Sequence, residues 1–213
     1  LPSERMHLVQ FNNISWGSYR QIADNPAIAW TIPLSLGDSH RGYPVLGTSS
    51  EYFRHFRYGF KTPLAFSEGR PFADGREGVF EAVLGAEVAR KLGYRNGERI
   101  VLSHGSGAVT GQDHADKPFT VVGILAPTGT PVDRTVHVSL AAIEAIHLDW
   151  QGSLPLHGLA VAADQVADYD LTPRDITAFL VGLHQRTTVF GVQRKIAGFK
   201  DEPLQAVLPG VVL

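Results

Sequence analysis

The chain has 213 residues and no cysteine, which excludes disulfides, thiolate metal sites and a cysteine nucleophile together. A cysteine-free chain tolerates oxidising and reducing compartments alike, so compartment stays open. Excess charge is lacking too: 19 basic residues stand against 21 acidic ones, a net of -2. That balance gives the chain no electrostatic footprint for nucleic acid or an anionic membrane surface. No window approaches the ~18 consecutive apolar residues of a membrane span. No signal peptide and no low-complexity tract is visible. What is present is the composition of a folded protein, with 44% hydrophobic and 19% charged residues. Its length suits one domain or two small ones, and 22 Gly and 13 Pro imply many turns. The apolar, charge-free end "LQAVLPGVVL" reads as that of a domain cut from a longer protein, or as a terminal strand paired into a sheet.

Periodicity organises the rest. "MHLVQFNN" reads as a strand, and "ISWGSYRQIADNP" as a helix with Trp16, Tyr19 and Ile22 at helical spacing. "AIAWTIPLSLGD" and "GYPVLGTSS" read as two strands around a turn. "SEGRPFADGREG" is polar and glycine-rich and reads as a crossing between subdomains. "VFEAVLG" is a strand and "AEVARKLGY" a helix, with Gly93 as its C-cap. "ERIVLSHG" and "PFTVVGILA" form a hairpin whose long tip is "SGAVTGQDHAD". "RTVHV" is a strand, and Ser139 caps the helix "LAAIEAIH". Beyond residue 150, "LHGLAVAAD" is a strand. Thr172, Pro173 and Asp175 open a helix in which Ile176, Phe179, Leu180 and Leu183 share a face. "TTVFGVQR" closes as a strand. The expectation is an α+β fold of two lobes: a β-α-β lobe built from both chain ends, residues 1–66 and 155–213, and an inserted small α/β lobe, residues 67–154.

Chemistry-bearing patterns are sparse. No Gly-x-Ser-x-Gly elbow follows a strand, and no phosphate loop ends in Lys-Ser/Thr. Gly105, Gly107 and Gly111 lead towards a strand instead of a helix. No residue is therefore assigned as catalytic or cofactor-binding, and no cofactor is expected. The hairpin tip carries His104, Asp113, His114 and Asp116, a competent ligand set for a divalent transition metal. A metal-binding or metal-responsive domain centred on His104 and His114 is thus the alternative reading, though polar loop tips carry such residues without purpose as well. In "SEYFRHFRYGF", aromatics alternate with basic residues, a pattern that can stack bases. One such cluster on a slightly acidic chain fits a short core-packing helix or a protein interface better. Asp133 and Arg134, adjacent after a Thr-Gly-Thr-Pro turn, have no nucleophile or base around them. They are expected to hydrogen-bond or ion-pair with their own loop or the neighbouring lobe.

Several segments together resemble the extracytoplasmic domain of MacB/FtsX-like ABC transporter permeases. These are "VLGAEVARKLGYRNGERIVL", "FTVVGILAPTGTPVDRTVHVSL", "YPVLGTSSEYF" and "LAFSEGRPF", in the family's order over roughly residues 27 to 148. The resemblance implies a non-enzymatic domain inserted between two membrane spans of a permease subunit, in the periplasm or at the cell exterior. It implies a lobe like the porter domains of efflux pumps. It also implies a cytoplasmic ABC ATPase, a second permease copy, and an extracytoplasmic cargo or protein partner whose identity the sequence leaves open. The His-rich 104–116 tip is longer than the family's pattern and keeps metal in play.

Overall fold

A computed structural model describes residues 13–104, 116–148, 150–151, 154–155, 161, 163 and 165–208. Seven main strands are β1 (Ile28–His40), β2 (Tyr43–Thr48), β3 (Phe66–Gly69), β4 (Glu81–Leu84), β5 (Phe119–Leu125), β6 (Val136–Ser139) and β7 (Ala178–Leu183). The α-helices among the described residues are α1 (Trp16–Ala23), α2 (Glu51–His55), α3 (Ala86–Leu92), α4 (Leu140–His147) and α5 (Val189–Ala197). The strands join in one mixed sheet in the order β7-β1-β2-β6-β4-β5-β3. β6 runs parallel to β2, and β4 parallel to β5. The fold is α+β, as expected from the sequence.

The 13-residue β1 changes partner midway. Its first half pairs with β7, from Ile28 opposite Leu183 to Leu34 opposite Ala178. Its second half pairs with β2, from Ser35 opposite Gly47 to His40 opposite Tyr43. α1 and α5 cover one face of the β1–β7 pair through Ile22, Val192 and Ile196 against Ile28, Val181 and Leu183. α2 covers the other face, with Tyr52 and Phe53 packed on a cluster that includes Ile32, Leu46 and Val83. α3 and α4 bury Val88, Ala142 and Ile146 against Leu84, Val121 and Val136 on the central strands. Full burial of an aliphatic side chain of this size contributes about 1.5–3 kcal/mol.

Local signals work as the sequence predicts at several points. Ser139 caps α4, its hydroxyl accepting from the Ala142 N–H at 3.1 Å, and Gly93 ends α3 in the left-handed conformation, φ 76. Of the expected hairpin, Arg99–Ile100 pairs with Phe119–Thr120, while Ser103–His104 pairs instead with Asp38–Ser39 of β1. "MHLVQFNN" up to Asn12, the hairpin tip 105–115 and most of "LHGLAVAAD" lie outside the described residues.

Three expectations are corrected. Residues 178–183, read as part of an amphipathic helix, are strand β7. Leu180 packs towards α2 while Phe179 and Val181 pack towards α1 and α5. Both faces of this strand are therefore apolar, and a two-sided apolar run mimics helical spacing. "TTVFGVQR", read as a strand, lies in α5 and the turn before it, because Val192 and Ile196 bury one helical stripe four residues apart. "SEGRPFADGREG" is not all crossing loop: Phe66–Gly69 is an edge strand paired with β5.

Replacing Ser139 by Ala should lower stability by about 1 kcal/mol, since it orphans the buried Ala142 N–H. Urea denaturation of the two proteins measures it, and coincident transitions would show the cap to be inert.

Candidate functional site

The segment Pro127–Thr135 connects β5 to β6 and carries the charged pair singled out in the sequence. Pro131–Arg134 forms a single 3-10 turn, with Thr130 accepting from the Val132 N–H at 3.3 Å. Asp133 folds its carboxylate back over the loop. One oxygen accepts from the Thr128 N–H and hydroxyl, both at 2.8 Å, and the other from the Gly129 N–H at 2.8 Å. Arg134 stands 3.7 Å from Glu87 on α3. The turn also rests directly on Gly85: a Cβ there would lie 2.3 Å from the Val132 carbonyl oxygen. The pair is therefore a latch, as expected, with Asp133 holding its own loop and Arg134 tying it to α3.

Two histidines, His137 buried and His147 half-buried, sit in opposite electrostatic situations. His137 on β6 is fully buried between the Tyr52 and Phe53 rings. Its Nδ1 lies 3.3 Å from the Val83 carbonyl. Desolvation lowers its pKa from 6.5 to about 4, so it is neutral at neutral pH. His147 ends α4 with Nδ1 2.8 Å from the Ile143 carbonyl and Nε2 3.5 Å from Asp38 on β1. Burial opposes its charge, but the Asp38 carboxylate, the Ile143 carbonyl and Glu144 outweigh burial and raise its pKa. His40, two residues from Asp38, contacts the Val101 carbonyl at 2.7 Å and the Tyr94 hydroxyl at 3.1 Å. These groups tie β1 to α4 and to the segment before the hairpin tip.

Of the metal candidates, the side chain of His104 and all of Asp113 and His114 lie outside the described residues. Asp116 is described and pairs with the buried Lys117 at 3.0 Å. Among the described residues no group of three or more His, Asp or Glu side chains gathers as a metal site requires.

The aromatic–basic stretch divides into two parts. Tyr52 and Phe53 are core residues of α2, in line with the core-packing reading. The chain then forms a hairpin, Arg57–Tyr58 against Thr62–Pro63, whose turn projects Phe60 fully into solvent, 104% exposed. Sequence reasoning missed this, because aromatic spacing does not distinguish a core ring from one raised on a turn; the Tyr58-Gly59 and Lys61 surroundings were the only signal. Phe190 at the start of α5 and Tyr169 are also exposed. An open groove of about 490 Å³ lies between Arg76, Ala141 and Asp168–Thr172. A second, of about 380 Å³, lies between α1 and the end of α5. Among the described residues no helix is long and apolar enough to cross a membrane.

Residues 3–179 match the model of the MacB-like periplasmic core domain, and the chain belongs to that family of ABC transporter permease domains. Among solved structures the chain is similar to the periplasmic region of MacB from Actinobacillus actinomycetemcomitans. There the identity is 11% and the TM-score 0.52, over 88% of this chain and 75% of that one. It is also similar to the extracellular domain of the noncanonic ABC-type transporter YknZ from Gram-positive bacteria, at 12% identity, TM-score 0.48, covering 85% and 79%. A domain of a putative permease from Porphyromonas gingivalis gives 12%, 0.47, 87% and 69%. The MacB likeness is one of fold. No curated protein matches the chain.

Two predictions follow from the latch and from His137. Asp133→Ala leaves three donors without their acceptor and should cost about 1–3 kcal/mol, read by thermal unfolding; an unchanged midpoint would show that the carboxylate holds nothing. His137 has a folded pKa below its unfolded value, so below pH 6.5 the unfolded chain binds the extra proton. Stability from this residue is therefore whole above pH 6.5 and declines as pH falls towards about 4, by about 3 kcal/mol in all. Denaturation midpoints of His137→Leu should lack that decline; a variant that keeps the full acid slope would assign it elsewhere.

Proposed function

We propose that this chain is the extracytoplasmic domain of an ABC transporter permease subunit, which binds a partner or cargo outside the membrane and relays ATPase-driven motion to it. The observation that carries the reading is family membership over residues 3–179. In the parent protein, membrane spans flank the domain and anchor it in the cytoplasmic membrane. The domain faces the periplasm or cell exterior, without an enzymatic step of its own. Its partners are a cytoplasmic ABC ATPase, a second permease copy, and an extracytoplasmic cargo or protein.

The relay needs two bodies that can shift. We take these to be a lobe from both chain ends, residues 1–66 and 155–213, and an inserted lobe, residues 67–154. Two features support the division. α1 and α5, from opposite ends of the chain, share the core around Ile22, Ile28, Val192 and Ile196. α3 and α4 pack on another cluster, over the central strands, to which the outer segments contribute only Val45 and Tyr43. β2 forms the seam, hydrogen-bonded to β1 on one side and to β6 on the other. Leu140 of α4 meets Tyr19 of α1 and Ile176 across the division, and small motions between packed elements of this kind transmit displacement.

These 213 residues hold no cysteine, so once any cysteines elsewhere in the parent and its ATPase are replaced, two introduced ones are the only label sites. Lys91 on α3 and Lys195 on α5 are exposed, and cysteines there accept a fluorophore pair. In the reconstituted parent permease with its ATPase, ATP should change energy transfer between them, and a hydrolysis-deficient ATPase should abolish cycling between the two values. Identical transfer with and without ATP would remove the relay. A parent reading frame without spans on both sides would remove the permease reading itself.

A further inference from the structure

We propose that the Arg57–Pro63 hairpin is a membrane-docking finger, which sets Phe60 into the anionic lipid surface beside which the domain is held. The inference rests on the permease reading, because a tethered domain meets its own bilayer at high effective concentration. Phe60 is fully exposed on a turn in which Gly59 and Lys61 both have positive φ, 50 and 65. For Lys61 that backbone is unfavourable, so the turn is held from below. Its root is stiff. Phe56 stacks on the buried Tyr52 at 4.8 Å. Phe56 and Tyr58 pack on the cluster around Ile32. The Arg57 Nη1 donates to the carbonyls of Arg54 and Phe56 at 2.7 and 2.8 Å.

Charge points to the occupant. Residues 51–63 carry the cations Arg54, Arg57 and Lys61 against one carboxylate, Glu51, which is already engaged by Arg54 at 3.1 Å and His55 at 2.9 Å. The whole chain has a net charge of -2, so the body is repelled by an anionic surface while this tip is drawn to it. Such a field orients the domain finger-first. Among the described residues Phe60 is the exposed large apolar side chain of this segment, and a single ring flanked by cations suits the boundary where phosphate meets acyl chain. A stable protein interface would need a patch of about 800 Å² on each partner.

Placement agrees. His55, just before the hairpin, stacks on Trp30 at 4.8 Å, beside the end of β1 where Ile28 pairs with Leu183. From Leu183 the chain leads into exposed Arg186 and Phe190. A second aromatic–basic pair is thus rooted at the same end of the strand pair.

The test tethers the 213-residue chain, through a tag after Leu213, to nickel-chelating vesicles of phosphatidylcholine containing about one-third phosphatidylglycerol. Brominated acyl chains should quench the added emission of Phe60→Trp and leave that of Tyr169→Trp unaltered. Lys61→Glu in the Phe60→Trp background, or omission of phosphatidylglycerol, should remove most of the quenching. Without the tether, Phe60→Ala should weaken vesicle binding about tenfold. Equal quenching at positions 60 and 169, none at 60, or quenching at 60 that ignores lipid charge would each overturn the proposal. A photo-crosslinker at position 60 of the parent permease that marks protein and no lipid would overturn it in favour of a protein partner. The permease reading stands or falls separately, on the flanking spans and the ATP-dependent energy transfer.

Discussion

Everything in this molecule hangs from the way β1 divides its backbone hydrogen bonds. Residues 28–34 pair with β7, while residues 35–40 pair with β2 and, at Asp38 and Ser39, with His104 and Ser103 as well. A strand cannot leave its polar edge unpaired in a core without a cost of the order of 1–3 kcal/mol for each group. The division therefore forces the C-terminal segment to return beside the N-terminal one and brings α5 alongside α1. It also sets α2 on the opposite face, and with it the root of the exposed hairpin.

The chain's polar interior reinforces that arrangement. His147 stays close to Asp38 and is stabilised most when protonated, so its contribution is present at low pH and lost as pH rises through its raised pKa. His137, neutral between aromatic rings, contributes in the opposite direction. One histidine favours acid and the other penalises it, and the two lie on elements joined end to end, β6 and α4.

Much of this was legible in the residues. Local signals were reliable wherever the determinant is local: the Ser139 cap, the Gly93 stop, and the Asp133–Arg134 pair read as a latch. The family resemblance was readable because its motifs keep their order from "YPVLGTSSEYF" to "TVHVSL". Failures came where tertiary context decides. β7 looked helical because both its faces are covered, and α5 looked like a strand because the β-branched Thr187, Thr188 and Val189 lead into it. Phe60 fell in a stretch read as a core-packing helix or a protein interface, since nothing in "FRHFRYGF" says which ring a turn lifts away. The metal candidate at His104 and His114 belongs to neither group, since the His104 side chain and the whole of His114 lie outside the described residues.

The midway change of partner has a consequence for the birth of the protein. On a ribosome, residues 28–34 emerge long before residues 178–183, while β2, the partner of the other half, follows at once. Until β7 is made, the first half of β1 is an apolar edge, Ile28, Trp30 and Ile32 among its residues, with open backbone groups. Such an edge invites pairing with another nascent chain. The central strands, with shorter loops to close, are placed to assemble first. The seam with β7 is then sewn last, and the interval before it closes is when the chain has most need of a chaperone.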